Sequence, residues 1–148
     1  MKAVAITGHR ILKEDFDYTL LEERLENLIE RGYIKFYCGM ALGFDLTCAG
    51  LLLRLRNRHN IELIACLPCR NQEERYSYYY KKLYHEYLKK FDRVECLEES
   101  FTKSCMFVRN RFMVDHCDIV FAYLYKKRGG TVYTVEYAKK REKMIEYF

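Results

Sequence analysis

The strongest constraint on the fold of this chain is an alternation of short apolar runs with segments of helical periodicity. Residues 2–7, 34–38, 61–67 and 118–125 are nearly continuous apolar runs. Runs of this kind fit strands whose two faces are both buried under helices. Between the first two, apolar residues at 18, 20, 21, 25, 28 and 29 predict an amphipathic helix over 16–31, stopped by Gly32. Further helices are predicted over 44–58, 71–91, 103–116 and 131–142, and weaker strands over 93–97 and 144–147. Strands separated by helices pair in parallel through crossover connections. The expected fold is a three-layer α/β/α Rossmann-like sandwich with a mostly parallel sheet. With 148 residues and no linker or internal repeat, residues 1–148 read as one domain.

Three glycine-bearing turns lie along this pattern: Thr7-Gly8-His9-Arg10, the stretch from Cys38-Gly39 to Gly43-Phe44-Asp45, and Gly129-Gly130-Thr131. Glycine at a strand-to-helix turn lets the backbone approach a ligand, and the helix behind it offers unpaired N–H groups and a positive dipole end. In sheets of this class, ligands bind at the carboxyl ends of the strands, where the strand order reverses. Several such turns in one small domain therefore point to a shared phosphate- or nucleotide-binding crevice. Thr7 and Arg10 can bond phosphate or ribose oxygens, whereas Gly8 could also serve only to turn the chain. His9 reads as a hydrogen-bond donor to the ligand rather than a base. Backbone N–H groups around Gly39, Met40, Ala41 and Gly43 are expected to face an anion. Asp45 either caps its helix or accepts a bond from a ribose hydroxyl. No Gly-Lys-Ser/Thr follows, so this is not a Walker A loop, and the spacing is not the ordinary dinucleotide Gly-x-Gly-x-x-Gly.

Composition sets outer bounds. Half the residues are hydrophobic and the net charge is +5, which fits a globular protein open to an anionic ligand without requiring nucleic acid. Charged and polar residues interrupt the N-terminal segment from Thr7 onward, and Asp45 and Arg54 break the longest apolar stretch. The expectation is a cytoplasmic protein without a membrane partner. The seven cysteines are odd in number and sit mostly in apolar runs, as reduced buried thiols do. Cys66-Leu67-Pro68-Cys69 has redox or zinc spacing, but no second such pair accompanies it. No metal is expected and no cofactor is required.

Taken together, Ile6–Arg10, Cys38–Asp45, Met106-Phe107-Val108-Arg109-Asn110, Met113-Val114-Asp115 and Gly129-Gly130-Thr131 resemble the SLOG superfamily. That group joins the DprA (Smf) DNA-processing proteins, the LOG cytokinin-activating phosphoribohydrolases and small bacterial and phage proteins similar to YpsA. The resemblance is greatest to the last set and spans almost the whole chain. It implies a Rossmann-like fold, a pocket for nucleotides or nucleotide-derived molecules, and a homodimer. LOG enzymes cleave the N-glycosidic bond of a nucleoside monophosphate. Their arginine-bearing helix is similar to Met106-x-x-Arg109-Asn110, with asparagine where lysine is usual. Their glycine-to-glutamate spacing is kept from Gly129-Gly130 to Glu136, but Val132-Tyr133 replaces a Gly-Thr and Arg128 replaces a proline.

Three functions follow as alternatives. The first is a sensor or carrier that binds a nucleotide-derived small molecule through the glycine turns, Arg109 and Asn110. The second is a LOG-like phosphoribohydrolase, with Arg109 and Glu136 as catalytic residues; Glu136 could equally be a surface carboxylate paired with Lys139 or Lys140. The third is a single-stranded DNA-binding module. Tyr76, Tyr80, Tyr84, Tyr87 and Phe91 recur at helical spacing among lysines, which suits either packing against the sheet or a neighbouring subunit, or base stacking.

Overall fold

The computed structural model describes residues 2–148. It contains six strands and five helices: β1 (Lys2–Gly8), α1 (Tyr18–Glu30), β2 (Tyr33–Cys38), α2 (Phe44–Leu55), β3 (Glu62–Leu67), α3 (Tyr78–Lys90), β4 (Arg93–Cys96), α4 (Cys105–Asp115), β5 (Ile119–Tyr123), α5 (Gly130–Lys140) and β6 (Met144–Tyr147). The strands form one sheet in the order β4-β3-β2-β1-β5-β6, and every adjacent pair is parallel. The chain builds outward from β1 to β4, then returns to lay β5 on the other side of β1. The topological switch point therefore lies between β1 and β5.

Side-chain alternation along the strands explains the three layers. Val4, Ile6, Phe36, Cys38, Leu63, Ala65, Ile119 and Phe121 point into a core shared with Leu21, Leu25 and Leu28 of α1 and with Phe44, Cys48 and Leu52 of α2. The intervening Ala3, Ala5, Tyr37, Ile64, Cys66, Val120 and Ala122 meet Met113 and Val114 of α4 and Val135 and Ala138 of α5. Successive strand residues face opposite sides, so both faces need apolar residues. Several positions on the α4–α5 side are alanine, which leaves room for those helices beside the central strands.

The expected elements all occur, with one boundary well off. The third helix begins at Tyr78 rather than Asn71, with the Ser77 side chain accepting a bond from the Tyr80 amide. The preceding residues form turns instead. There the Gln72 side chain donates to the Gly39 carbonyl, at 3.1 Å, and the Tyr76 hydroxyl donates to the Met40 carbonyl, also at 3.1 Å. Those long-range bonds outweigh the helical continuation that the sequence pattern favours. Of the aromatic stripe, Tyr84 is buried and packs edge-on to Tyr76, while Tyr87 lies against Gly50 of α2. The stripe is thus mainly a packing surface between α3 and the body of the domain.

The turn into α2 depends on Gly43. Its φ is +81°, and a Cβ there would lie 2.1 Å from the Arg10 carbonyl oxygen. Close backbone approach at a left-handed position leaves only glycine unstrained. Gly43→Ala is expected to destabilise the fold by about 2 kcal/mol or more, read as a lower urea midpoint. An unchanged midpoint would show that the turn relaxes around the methyl group.

Candidate functional site

At the switch point the carboxyl ends of β1 and β5 open into a cleft of about 510 Å³. Its floor is residues 6–11, one wall is Lys103 with α4 from Met106 to Asn110, and the other is Lys126 with the segment from Arg128 to Thr131. Ala41 and Asp45 close the back. Thr7, Gly8, His9, Arg10, Ala41, Asp45, Arg109, Asn110, Gly129, Gly130 and Thr131 are thereby brought together from four separate segments. Gly39, Met40 and Gly43 do not line it.

The middle loop has a packing task beside the one its glycines suggest. Three amides along it and the start of α2 are bonded within the protein: Ala41 N–H to Asp45 Oδ2 at 3.3 Å, Phe44 N–H to the His9 carbonyl at 3.1 Å, and Leu46 N–H to the Ala41 carbonyl at 3.1 Å. Gly39 is needed for space, because a Cβ there would lie 2.7 Å from Arg109 Nη1 and 2.8 Å from Asp45 Oδ2. Met40, at φ 61°, is fully buried. The loop therefore seats a buried carboxylate and a buried guanidinium side by side.

Arg109 is only 3% exposed. Its Nη1 donates to the Gly39 carbonyl at 2.5 Å and to the Cys66 carbonyl at 3.1 Å, and its Nε donates to Asn110 Oδ1 at 2.8 Å. The residue read as an anion contact is first a clamp joining α4 to the ends of β2 and β3. Asn110, on the next position of α4, has its amide nitrogen turned towards Gly130. His9 also departs from expectation. Its Nε2 accepts from the Tyr125 and Lys126 amides, both at 3.1 Å, so the ring is neutral and carries its proton on Nδ1. Burial, followed by the charge of Lys126, keeps its pKa below the usual histidine value. Nε2 is thus the anchor of the basic loop before α5.

Helix α5 begins at the cleft. Gly129 is its N-cap and no side chain caps it, so its first turn offers peptide N–H groups and the positive dipole end to the cavity. The cationic side chains Arg10, Lys103, Arg109, Lys126 and Arg128 surround this point, against one carboxylate, Asp45. Among the described residues Arg10, Lys103, Lys126 and Arg128 take part in no ion pair. Ile11 and Phe107 supply exposed apolar surface at the mouth. Lys103, Lys126, Arg128, Ile11 and Phe107 were not among the sequence candidates. The basic run ahead of Gly129 was the available signal for two of them.

Glu136 is not at the cleft. Its side chain is 60% exposed on α5 and pairs with Lys139 at 3.2 Å. Nearly two helical turns beyond the glycines, it does not line the cavity that the first turn borders. The Cys66 thiol is pushed up to about 12 by burial, and Cys69 is raised for the same reason. Neither is poised as a nucleophile.

A model of the YspA SLOG family matches residues 12–148. The chain belongs to that family. The UPF0398 protein BH1768 of Halalkalibacterium halodurans is 28% identical over 166 residues, covering 99% of this chain and 85% of that protein. Among solved structures, DNA processing protein A of Streptococcus pneumoniae superposes with a TM-score of 0.72 at 20% identity, over 99% of this chain and 50% of that one. The same protein of Helicobacter pylori, described for its mode of binding single-stranded DNA, gives 0.72 at 21% identity, over 99% and 64%. The chain thus spans half to under two thirds of these structural relatives, and at such identities the likeness is one of fold. It agrees with the Rossmann-like architecture and the SLOG resemblance. No helix among the described residues is long and apolar enough to cross a membrane.

Asp45 is the charged group most at odds with its surroundings. Burial raises its pKa to about 6, partly offset by Arg109, the Ala41 amide and Arg10. The other groups facing it are the Cys38 and Cys48 thiols and the Tyr76 hydroxyl, all raised by burial, so none titrates between pH 4 and 7. A carboxyl whose folded pKa lies above its unfolded value holds its proton more tightly when folded. Its contribution to stability is then full below about pH 4 and lost as pH rises through about 6. Asp45→Asn is expected to be more stable than the parent at pH 7, by about 1–3 kcal/mol. The gain should vanish near pH 4 in urea titrations, and a less stable variant at pH 7 would contradict this account.

Proposed function

We propose that the cleft binds a nucleotide-derived small molecule and that the protein acts as a sensor or carrier of it. The observation that carries this reading is the uncapped start of α5 facing a cavity rimmed by cations that have no ion-pair partners. Such a site favours an anion through fixed N–H dipoles and mobile charges together. The anion is a phosphate or pyrophosphate lying over Gly129, Gly130 and Thr131, within reach of Lys126 and Arg128. The apolar surface of Ile11, Met106 and Phe107 suits the face of a base. Membership of a SLOG family supports the same class of ligand. Nucleoside monophosphates, ADP-ribose-like molecules and dinucleotides are the candidates, with no further cofactor. A homodimer is the expected assembly.

The displacement of Glu136 from the cleft weighs against phosphoribohydrolase chemistry, since no other carboxylate than the buried Asp45 lines the cavity. A second reading has one observation in its favour. Tyr78 and Tyr79 stand exposed at the start of α3 beside Lys82, as residues that stack single-stranded bases do. The DNA-binding description of the Helicobacter relative points the same way.

Calorimetry separates these readings. AMP and ADP-ribose are expected to bind and adenosine to bind at least tenfold more weakly, with the double variant Lys126→Ala/Arg128→Ala losing about tenfold or more in AMP affinity. Equal binding of AMP and adenosine, or none of either, would overturn the proposal. Incubation with AMP should release no adenine, in the parent or in Glu136→Ala. Release that Glu136→Ala abolishes would restore the hydrolase. Salt-dependent binding of an oligodeoxynucleotide, lost when Tyr78 and Tyr79 become alanine, would favour the DNA reading instead.

A further inference from the structure

The cleft holds one acidic group, and half of that group is unused. Asp45 is 5% exposed, and its Oδ2 accepts from the Ala41 amide. Its Oδ1 is shielded from solvent and has no hydrogen-bond partner. Arg109 does not fill the gap: its hydrogen bonds run to Asn110, Gly39 and Cys66, and no ion pair joins it to Asp45 among the described residues. The cap residue before Asp45 is glycine and makes no side-chain bond either. A buried carboxylate oxygen left without a donor is costly, and folding alone gives no return for it. A feature of that kind in the wall of a cavity points to a group the cavity receives.

We propose that Asp45 accepts a hydrogen bond from a sugar hydroxyl of the ligand, so that the cleft selects phosphorylated ribosides over their deoxy counterparts. The inference rests on the reading of the cleft as a nucleotide site and adds to it the part of the nucleotide that is recognised. The cations and the start of α5 attract an anion, but a second anion against Asp45 would meet a like charge in a poorly solvated place. The group opposite Oδ1 must therefore be neutral and must donate. In a nucleoside 5′-phosphate the ribose hydroxyls meet both conditions at the distance of one sugar ring from the phosphate. A phosphate ester on the recognised hydroxyl removes the donor and adds the charge, so it is excluded on two counts.

The test is an affinity series with AMP, 2′-deoxy-AMP, 3′-deoxy-AMP and adenosine 2′,5′- and 3′,5′-bisphosphates, on the unaltered chain and on Asp45→Ala. Removing one of the two hydroxyls is expected to weaken binding about tenfold or more, and phosphorylating that same hydroxyl by more again. In Asp45→Ala, which has no side-chain acceptor, the ratio between AMP and the sensitive deoxy analogue should collapse to below about twofold. A thermal melt of the variant establishes that it is folded, and the analogue series on the unaltered chain tests the selectivity without any substitution. Equal affinity for AMP and both deoxy analogues would overturn the role of Asp45 and leave nucleotide binding standing. A ratio that survives in Asp45→Ala would likewise assign the selectivity elsewhere. No binding by any member would overturn both readings.

Discussion

The carboxyl edge of the sheet is held by one buried guanidinium. Arg109 reaches from α4 to carbonyls at the ends of β2 and β3, and Gly39 has no side chain because the guanidinium and Asp45 occupy that space. Without that clamp α4 loses its bonds to the ends of β2 and β3, the Gly39–Asp45 loop loses a partner, and the wall that carries Phe107 and Asn110 is held only by the apolar packing around Met113 and Val114. A charged donor is suited to this duty: backbone carbonyls at strand ends have lone pairs to spare, and a planar guanidinium can meet two of them from one nitrogen.

The clamp lies beside a charge that is incompletely satisfied, which is the usual compromise between a stable fold and a site ready for a ligand. Asp45 is placed by a tight loop and stripped of water, yet only one of its oxygens finds a donor. The neutral His9 performs the complementary task on the other side, accepting two amides of the basic loop, whose Lys126 and Arg128 form no ion pair among the described residues.

Much of the fold was legible in the residue pattern. Continuous apolar runs marked the buried strands, and period-3.6 segments marked the helices, because a parallel sheet covered on both faces leaves no other use for either. The YspA SLOG membership and the likeness to DNA processing protein A agree with that reading. The α3 boundary was not legible. Residues 71–76 have helical character, and only their bonds to the Gly39 and Met40 carbonyls, more than thirty residues away, draw them out of the helix.

Among the residues that line the cleft, those on the strand ends and at the start of α5 were legible because topology alone brings such turns to one edge. Their individual duties were not. Glu136 keeps a suggestive spacing from Gly129, yet it stands exposed on α5, outside the cleft lining. His9 and Arg109 look like ligand contacts in the sequence and are largely spent on the protein's own amides and carbonyls. Sequence by itself determined the layers, the turns and the sign of charge around them, because these follow from periodicity and composition. Only the tertiary structure decided which polar groups remain free, because a hydrogen bond is allotted by distances between segments that the linear order does not contain.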